Sequence, residues 1–364
     1  MSLVIRGIGT ATPPLQIAQR DAAMLAIGFA NAEAGRERAL AAIYRQTRIR
    51  TRGSVLLEEP GDAAYAQSFF PAATDGDDAG PTTADRMTRY AREAGPLAIA
   101  AARTAVGDSG VAADAVTHVV TCSCTGFANP GFDLELVAAL DLPATVARTH
   151  VGFMGCHGAF NALRVADAFT TADPAAVVLM VCVELCSLHF QYGTRGDHVV
   201  ANSIFADGAA AIVATGEAGR SQTRGRLLSQ RSQVVPDSTD QMGWLIGDHG
   251  FEMTLSPRVP DALARHLPDG IEALLQPHGL GRADVRSWAV HPGGPRILSA
   301  VGETLGLDES NLRCSRGVLA DHGNMSSATI LFILERLARE GASGPCVAMA
   351  FGPGLTAELA LLMI

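Results

Sequence analysis

Short apolar segments alternate along the chain with longer segments in which apolar and polar residues are mixed. The short segments contain few polar residues, which is typical of strands buried on both faces of a sheet. They predict strands at 117–122, 176–183, 208–214, 287–291, 346–351 and 356–362.

The longer segments carry apolar residues at three- and four-residue spacing, which places those residues on one face of a helix. They predict helices at about 83–106, 156–171, 258–275 and 324–340. Strands that alternate with helices in this way favour an α/β fold.

Two polar stretches interrupt the alternation and are predicted to be loops. Residues 53–82 are rich in Asp, Glu, Pro and Gly and contain no Lys or Arg, so we expect a solvated excursion. Residues 215–226 are polar and glycine-rich, and they are predicted to join two halves, 1–215 and 226–364. The halves show no close sequence repeat, so any duplication would be structural.

Charge and composition restrict the partners and the chemistry. A net charge of −9 argues against a nucleic acid or an anionic membrane as the main partner. We see no signal-peptide pattern and no apolar run approaching about 18 residues, so we expect a cytoplasmic protein. All 28 basic residues are arginine. This excludes enzymes that need a lysine amine, such as pyridoxal-phosphate enzymes, Schiff-base aldolases and P-loop nucleotidases.

The chain has seven cysteines, an odd number that indicates reduced thiols rather than a disulfide framework. Most lie inside apolar stretches, where a small buried core residue is the simplest interpretation. They are Cys122, Cys124, Cys156, Cys182, Cys186, Cys314 and Cys346.

Cys156 differs from the others because glycines surround it and a helical pattern follows it. A thiol at a helix N-terminus lies at the positive end of the dipole, which favours the thiolate. Gly155 and Gly158 would permit a sharp turn and the approach of a substrate carbonyl. An ordinary core cysteine before a helix explains the same pattern, so the motif alone leaves both interpretations open.

Two other segments place polar groups at the ends of predicted elements. His291 ends a strand and precedes Pro-Gly-Gly-Pro, a stiff turn that suits a general base or an oxyanion donor. Asn324 precedes an apolar helix and fits an N-cap, and its amide is also able to donate to a negative oxygen. With Cys156 they supply a nucleophile, a base and an oxyanion donor at the sheet edge where α/β folds gather their active sites.

The segments around Cys156, His291 and Asn324 resemble the Cys-His-Asn motifs of type III polyketide synthases, the chalcone synthase-like family, in its bacterial type. Two more stretches agree in order, Ser-Ile-Phe-Ala-Asp-Gly-Ala-Ala at 203–210 and Phe-Gly-Pro-Gly-Leu-Thr at 351–356. The resemblance covers nearly the whole chain.

The resemblance implies an α/β thiolase-like fold of two similar halves, with five alternating layers of helices and sheets, in a homodimer. Cys156 would belong to the N-terminal half, 1–215, and His291 and Asn324 to the C-terminal half, 226–364. The substrates would be coenzyme A thioesters, and no metal or bound cofactor is implied.

The implied reaction begins when an acyl-CoA starter loads onto Cys156. Malonyl-CoA would then bind with its thioester oxygen between His291 and Asn324 and lose CO2, and the carbanion would attack the acyl thioester. An imidazolium at His291 would stabilise the thiolate. Repeated condensation and cyclisation would give a pyrone, a resorcinol or a phloroglucinol-type product.

The resemblance also assigns a substrate pocket. The family's gatekeeper phenylalanine falls on Phe205, and Met253, a flexible residue, replaces the second gatekeeper of plant members. Cys124 replaces a plant threonine, although a buried core thiol is an equal interpretation. Asn129 lies at the loop that in relatives reaches into the partner subunit's cavity. The other assigned residues are Cys186, His189, Trp244, Gly352, Pro353 and Gly354.

Coenzyme A would be held by cationic side chains near the N-terminal helices, where the chain has Arg45, Arg48 and Arg50. Arginine binds phosphate bidentately. A solvated basic face explains the same residues, and the sequence does not tell which arginine contacts CoA.

Four alternatives are open at this point. A β-ketoacyl-carrier-protein synthase III of fatty acid synthesis shares the fold and the three residue types, and strict dependence on acyl carrier protein would favour it. A papain-like hydrolase would release a free acid without forming a carbon–carbon bond. A zinc site would draw on Cys122, Cys124, Cys156, His157, Cys182 and Cys186, but Cys122 and Cys124 have no second close pair of the usual spacing. An inactive structural partner would not need all three residues.

The starter unit is also open. The bacterial-type motifs and Met253 favour a fatty-acyl starter that gives an alkylpyrone or an alkylresorcinol. A coumaroyl thioester that gives a chalcone, or malonyl-CoA alone condensed to a phloroglucinol- or tetrahydroxynaphthalene-like product, are alternatives.

Overall fold

The computed structural model describes residues 2–29, 34–59, 65–216 and 223–364. The strands in these ranges are β1 (Val4–Ala11), β2 (Gln16–Ala18), β3 (Thr51–Gly53), β4 (His118–Ser123), β5 (Ala147–Gly152), β6 (Val177–Leu185), β7 (Asp207–Thr215), β8 (Gly225–Val234), β9 (Met242–Gly247), β10 (Gly250–Leu255), β11 (Ser287–Val290), β12 (Pro345–Gly352) and β13 (Thr356–Met363).

The helices are α1 (Gln19–Phe29), α2 (Ala34–Gln46), α3 (Thr83–Ser109), α4 (Phe132–Ala139), α5 (Gly158–Ala172), α6 (Gly196–Ile204), α7 (Val259–Leu275), α8 (Pro295–Leu305), α9 (Arg313–His322) and α10 (Thr329–Arg339). Short 3₁₀ turns at Gly155–His157, Cys186–His189 and Ser326–Ala328 lie close to the residues singled out by the sequence. None of the helices in the described ranges has both the length and the apolar character needed to cross a membrane.

The six predicted strands and four predicted helices are all present. The predicted helices at 156–171 and 324–340 begin later than expected, because a 3₁₀ turn precedes α5 and another precedes α10. The strands that the pattern did not predict include β5 and β8, which carry exposed polar residues and so lack the continuous apolar character of a buried strand.

The expectation of a solvated loop at 53–82 is wrong in part. The described residues between β3 and α3 form no helix or extended strand, as expected. However, Leu56 and Phe70 are buried in a hydrophobic cluster with α3. Scattered apolar residues in an acidic loop give no periodic signal, so their packing was not visible in the sequence.

The main sheet has the strand order β11-β12-β13-β8-β1-β7-β6-β4-β5. Strands β1 and β8 are joined by only two residue pairs, Val4 with Arg226 and Ile5 with Gly225. An N-terminal group of strands (β1, β7, β6, β4 and β5) is therefore only loosely connected to a C-terminal group (β11, β12, β13 and β8). The predicted junction at 215–226 falls between β7 and β8, although 217–222 lie outside the described residues.

In the described part of the chain, side chains that alternate along the strands of the main sheet contribute to three hydrophobic cores. In the N-terminal group, Val181 and Val213 face α3, whereas Met180 and Ile212 face α5 and α10. Alternate residues of β12 and β13 in the C-terminal group meet the same central helices or pack against α7 and α8 on the other side. The central core thus lies between the two groups of strands, with α5 and α10 at its centre.

Candidate active site

Cys156 lies on the 3₁₀ turn between β5 and α5. Gly155, the residue before it, has a φ of +78°, and a Cβ at this position would lie 2.3 Å from Cδ of Pro353. Only glycine satisfies both the backbone conformation and the close approach of the β12–β13 turn. This turn therefore presents Cys156 next to the segment that follows β12.

The side chains of Ser326 and Asn324 lie close enough to the Cys156 thiol to lower its pKa. Burial has the larger, opposite effect and raises the pKa of the thiol to about 12. The helix-dipole argument for a thiolate is therefore opposed by desolvation. A negative charge here needs a compensating cation or strong donors.

Asn324 is held rigidly by its backbone. Its N–H donates to the carbonyl of Ile204 (2.8 Å), and its carbonyl accepts from Ala206 N–H (2.9 Å). The expected N-cap role at α10 is wrong, because α10 begins only at Thr329. The Asn324 Oδ1 atom instead accepts the backbone N–H of Ser326 (2.9 Å) and caps the intervening 3₁₀ turn. The amide Nδ2 is the donor group of this side chain, and the Asn324 side chain lowers the pKa of the Cys156 thiol.

His291 directly follows β11 and is 1% exposed. Its backbone N–H donates to the carbonyl of Met349 (2.9 Å), which fixes the residue at the edge of the sheet. Neither ring nitrogen has a hydrogen-bond partner among the described residues. Burial, and then the nearby His157, lower the pKa of His291 to about 3. The isolated side chain is thus neutral, and the expected imidazolium forms only if a buried anion compensates it.

Glu184, near the end of β6, is a further buried acid close to the thiol. Its carboxylate accepts the N–H of Cys124 (3.0 Å), the hydroxyl of Thr125 (2.9 Å) and the hydroxyl of Ser327. Burial raises the pKa of Glu184 to about 7. Glu184 was not among the residues predicted from the sequence, although a single carboxylate within the apolar run Val-Cys-Val-Glu-Leu-Cys was a visible signal.

A small cavity of about 390 Å³, its opening included, lies beside Cys156. It contains six of the residues that the resemblance assigned to the substrate pocket, together with Thr125, Gly155, Met242, Gly243 and Ser326. Those six are Cys124, Cys186, Phe205, Trp244, Met253 and Pro353. His291 and Asn324 do not line this cavity.

A large cavity of about 810 Å³, its opening included, adjoins the small one. The two share Cys186, Phe205, Trp244 and Met253, so these four side chains form the boundary between them. The large cavity extends to α1 and to the loop after β3, and its lining is mostly aliphatic and aromatic. His189 lines this cavity but not the small one.

His189, Trp244 and Phe251 form a rigid aromatic wall of the large cavity. The His189 ring stacks on Phe251 with a centroid distance of 4.1 Å. Its Nε2 lies 2.7 Å from the carbonyl of Thr125, and its Nδ1 lies 3.0 Å from the N–H of Phe251. Nε2 is therefore the donor and Nδ1 the acceptor, which requires a neutral ring. Burial lowers the pKa of His189 to about 3, in agreement with this state. Trp244 is anchored by a bond from its Nε1 to the carbonyl of Cys124 (2.8 Å).

Three assigned pocket residues do not line either cavity. Gly352 packs against the ring of His157, and Gly354 has a φ of +72° and donates its N–H to Met242. These two glycines shape the turn that presents Pro353 to the small cavity, and their assignment to the substrate pocket stays a prediction. Asn129 is exposed, after β4, and its peptide bond to Pro130 is cis.

An open groove of about 1370 Å³, its opening included, runs between α2, α6 and the turn after His291. Arg296 is the arginine that lines it. Arg45 and Arg48 are exposed next to lining residues of the groove but do not line it, and Arg50 pairs with Asp321. These three arginines therefore do not line the groove, and their role in binding coenzyme A stays a prediction. Arg296 was not among the assigned residues, because it lies in the other half of the chain.

A search for metal ligands gives no support to the zinc alternative. The described ranges contain no group of three or more His, Cys, Asp or Glu side chains arranged to hold an ion. Cys122 and Cys182 are neighbours on the paired strands β4 and β6, deep in the central core.

Comparison with known proteins gives matches over the whole chain. Family models of the chalcone and stilbene synthases match it in two parts, the N-terminal domain at residues 2–218 and the C-terminal domain at 226–364. The chain is 32% identical over 366 residues to "Alpha-pyrone synthesis polyketide synthase-like Pks18" of Mycobacterium tuberculosis, covering 98% of this chain and 89% of that protein.

Two other matches agree. The 1,3,6,8-tetrahydroxynaphthalene synthase of Streptomyces peucetius is 36% identical over 271 residues, which cover 73% of this chain and 72% of that protein. The crystal structure of PKS-I from the brown alga Ectocarpus siliculosus superposes with a TM-score of 0.92 at 32% identity, covering 100% of this chain and 98% of that one. These relatives favour polyketide synthesis over the ketoacyl synthase alternative.

Proposed function

The chain belongs to the chalcone and stilbene synthase family, as a type III polyketide synthase, and from this we propose that it extends a fatty-acyl starter on Cys156 with malonyl-CoA. The family relationship makes it an acyltransferase of secondary metabolite biosynthesis. One observation carries the proposal: the cavity at the Cys156 thiol adjoins a larger, mostly apolar cavity across four shared side chains.

In the proposed loading step, the thiol of Cys156 attacks the thioester carbonyl of the starter. A bond forms between Sγ and the acyl carbon, the bond to the CoA sulfur breaks, and CoA leaves with the proton. Donors to the Cys156 sulfur from Ser326 and Asn324 stabilise the attacking thiolate. Proton transfer from Cys156 to His291 would pair the two buried charges.

In the extension step, malonyl-CoA loses CO2, and the electron pair of the broken carbon–carbon bond moves onto the thioester oxygen as an enolate. Asn324 and His291 are proposed to donate hydrogen bonds to that oxygen in a site shielded from water. The enolate carbon then attacks the acyl carbonyl, and Cys156 leaves as a thiolate. The elongated chain, now on CoA, returns to Cys156 for the next cycle.

The starter is proposed to be an unbranched fatty-acyl group because the large cavity has an aliphatic and aromatic lining. Met253, at its boundary with the small cavity, has three rotatable bonds and adapts to a chain of variable shape. Cyclisation then gives an alkylpyrone or an alkylresorcinol. "Alpha-pyrone synthesis" in the name of the mycobacterial relative is consistent with this product class.

The open groove is proposed to bind coenzyme A, with Arg296 as a phosphate contact, because it begins at the turn that follows His291. We further propose the five-layered thiolase-like arrangement and a homodimer in which Asn129 reaches the partner's cavity. A cytoplasmic location follows from the need for CoA thioesters.

The test is an incubation of the purified protein with malonyl-CoA and a panel of acyl-CoA starters, followed by mass spectrometry. We expect triketide or tetraketide pyrones or resorcinols from medium- or long-chain starters, and their complete loss in Cys156→Ala. The starters of the panel are acetyl-CoA, hexanoyl-CoA, dodecanoyl-CoA, palmitoyl-CoA and coumaroyl-CoA.

Other outcomes would reject specific parts of the proposal. Products from coumaroyl-CoA or from malonyl-CoA alone would reject the fatty-acyl starter but keep the reaction. Single β-ketoacyl products that require a carrier protein would reject polyketide synthesis. Extension at the wild-type rate by Cys156→Ala would reject the nucleophile.

A further inference from the structure

A buried arginine lies where several segments around the large cavity meet. Arg86, in the first turn of α3, is 0% exposed. Its Nε donates to the carbonyl of Pro81 (2.9 Å), and its Nη1 donates to the carbonyls of Leu188 (2.9 Å) and Phe190 (2.8 Å). One guanidinium therefore ties the start of α3 to the segment that follows β6.

The positive charge of Arg86 is not neutralised by an ion pair. No carboxylate forms a salt bridge with it among the described residues, and its Nη2 has no hydrogen-bond partner there. The guanidinium carbon lies 5.2 Å from the centre of the Phe70 ring. Burial lowers the pKa of Arg86 to about 10, so it is still charged at neutral pH. A buried cation that is held mainly by carbonyls is costly to the stability of the fold.

The two carbonyls bound by Nη1 belong to the residues on either side of His189. Arg86 thus fixes the backbone that carries the His189 ring, which faces the large cavity. The Arg86 side chain also packs against Gly250, where the absence of a side chain leaves room for it. A Cβ at Gly250 would lie 2.4 Å from Nη1 of Arg86. Gly250 opens β10, the strand that carries Phe251 and Met253 of the cavity lining.

The charge of Arg86 also favours the protonation state that the wall requires. His189 must be neutral to accept the N–H of Phe251 at Nδ1, and a nearby cation disfavours a second positive charge. The Arg86 guanidinium therefore acts on the wall in two ways. It donates hydrogen bonds to the backbone on either side of His189, and its positive charge disfavours protonation of the His189 ring.

We propose that Arg86 is a positioning residue that fixes the wall formed by His189 and Phe251 and so determines which acyl chains the large cavity accepts. Arg86 does not line the cavity and has no contact with Cys156. This inference rests on the proposed function, because it assumes that the large cavity holds the acyl chain.

The test compares Arg86→Gln, Arg86→Lys and a control, Arg92→Gln, an exposed arginine on the same helix. For each protein, kcat and KM are measured with dodecanoyl-CoA and with acetyl-CoA as starters, and malonyl-CoA decarboxylation is measured without a starter. We expect Arg86→Gln to lower kcat/KM for dodecanoyl-CoA about tenfold relative to acetyl-CoA, mainly through KM, because the lost charge-assisted bonds release the wall. Decarboxylation should stay within about twofold of wild type, and Arg92→Gln should match wild type.

The ratio of the two starters does not depend on the fraction of folded enzyme, so a purely structural role of Arg86 would leave it unchanged. Arg86→Lys keeps the cation but not the planar fork, and we expect an intermediate ratio. If Arg86→Gln does not fold, the test rests on Arg86→Lys. A wild-type ratio of kcat/KM for dodecanoyl-CoA to kcat/KM for acetyl-CoA in that variant would overturn the inference. If the wild-type protein extends no starter, the proposed function is contradicted. The wild-type reaction alone reveals this outcome, independently of the Arg86 variants.

Discussion

At the scale of single residues, the candidate site combines polar groups with almost complete burial. His291 and Asn324 are each 1% exposed, and Glu184 is 0% exposed. Desolvation favours the neutral form of every acid and base here, so charges that develop during a reaction must be met by nearby donors. Two predictions follow from this condition.

Removing either proposed enolate donor should slow decarboxylation. We expect His291→Ala and Asn324→Ala each to lower malonyl-CoA decarboxylation about 10²–10³-fold, the usual cost of one lost oxyanion donor. The rate is measured by release of labelled CO2 without a starter. His278→Ala, at an exposed histidine, is the control and should behave as wild type. Unchanged decarboxylation in both donor variants would place the enolate elsewhere.

Glu184 makes stability depend on pH in a defined direction. Its folded pKa is about 7, above the ordinary 4.5, so folding takes up a proton between these values. The contribution of Glu184 to the free energy of unfolding is therefore fully present below about pH 4.5, and it is lost as the pH rises through about 7. Glu184→Gln has no proton to lose, and its amide is able to donate to Ser327. As the pH rises from about 4 to 8, we expect the free energy of unfolding of Glu184→Gln to increase by about 3 kcal/mol relative to that of the wild type.

The measurement is urea unfolding of both proteins at each pH. Glu59→Gln, at an exposed position, is the control and should follow the wild-type curve. A constant difference between Glu184→Gln and wild type across this range would show that Glu184 stays ionised in the folded protein.

At this scale the sequence analysis found residues that lie in recognisable local motifs, and it overlooked residues that act through distant contacts. Cys156 and Asn324 were chosen from their own segments, and the structure places them close enough for Asn324 to lower the pKa of the thiol. Arg86 binds carbonyls more than 100 residues away, and Arg296 reaches the groove from the other half. No local pattern contains such information.

At the scale of elements, the turn before α5 depends on one glycine. Gly155 has a positive φ, and its Cα faces Pro353. Gly193 also has a positive φ, +84°, but a Cβ there would meet no atom within 4 Å. This pair separates backbone strain from steric contact with the β12–β13 turn.

We expect Gly193→Ala to cost about 1 kcal/mol of stability through backbone strain alone, and Gly155→Ala to cost about 1–3 kcal/mol more. Only Gly155→Ala should also slow acylation of Cys156, because the clash with Pro353 displaces the nucleophile. Urea unfolding gives the stabilities, and intact-protein mass spectrometry gives the acylation rate. Equal behaviour of the two variants would mean that the contact with Pro353 is unimportant.

The elements themselves were predictable to the extent that they are apolar. Strands β4, β6, β7, β11, β12 and β13 are buried on both faces and were recognised. The hairpin of β9 and β10 was not among the predicted strands, and Leu245 and Ile246 in its short apolar run are exposed rather than buried in the main sheet. This hairpin supplies Trp244, Phe251 and Met253 to the large cavity. The family resemblance assigned Trp244 and Met253 to the pocket but not Phe251, whose place in the wall depends on its ring contacts with His189 and Trp244.

At the scale of the whole molecule, β5 forms one edge of the main sheet. The exposed apolar residues Phe127 and Met154 lie near it, and the rings of Phe127 and Phe153 are 5.8 Å apart. An unprotected edge with adjacent apolar side chains is suited to association with a second copy. The proposed homodimer would bury this region, which is two residues from Asn129.

We therefore expect Phe127→Glu to shift the protein from dimer to monomer, because a charge would be buried at the interface. Sedimentation velocity measures the change. Leu245→Glu, at an exposed leucine on the β9–β10 hairpin, is the control and should leave the dimer intact. A wild-type protein that sediments as a monomer, or a Phe127→Glu variant that stays dimeric, would contradict the assigned interface.

The position of β1 in the sheet has a consequence for synthesis. Val4 pairs with Thr215 on β7, and with Arg226 on β8, so β1 has no partner in the main sheet until more than 200 further residues have been made. At about 5–20 residues per second, this apolar strand waits roughly 10–40 s. During that interval the nascent chain presents an unpaired hydrophobic strand, and a chaperone that shields β1 should raise the yield of native enzyme.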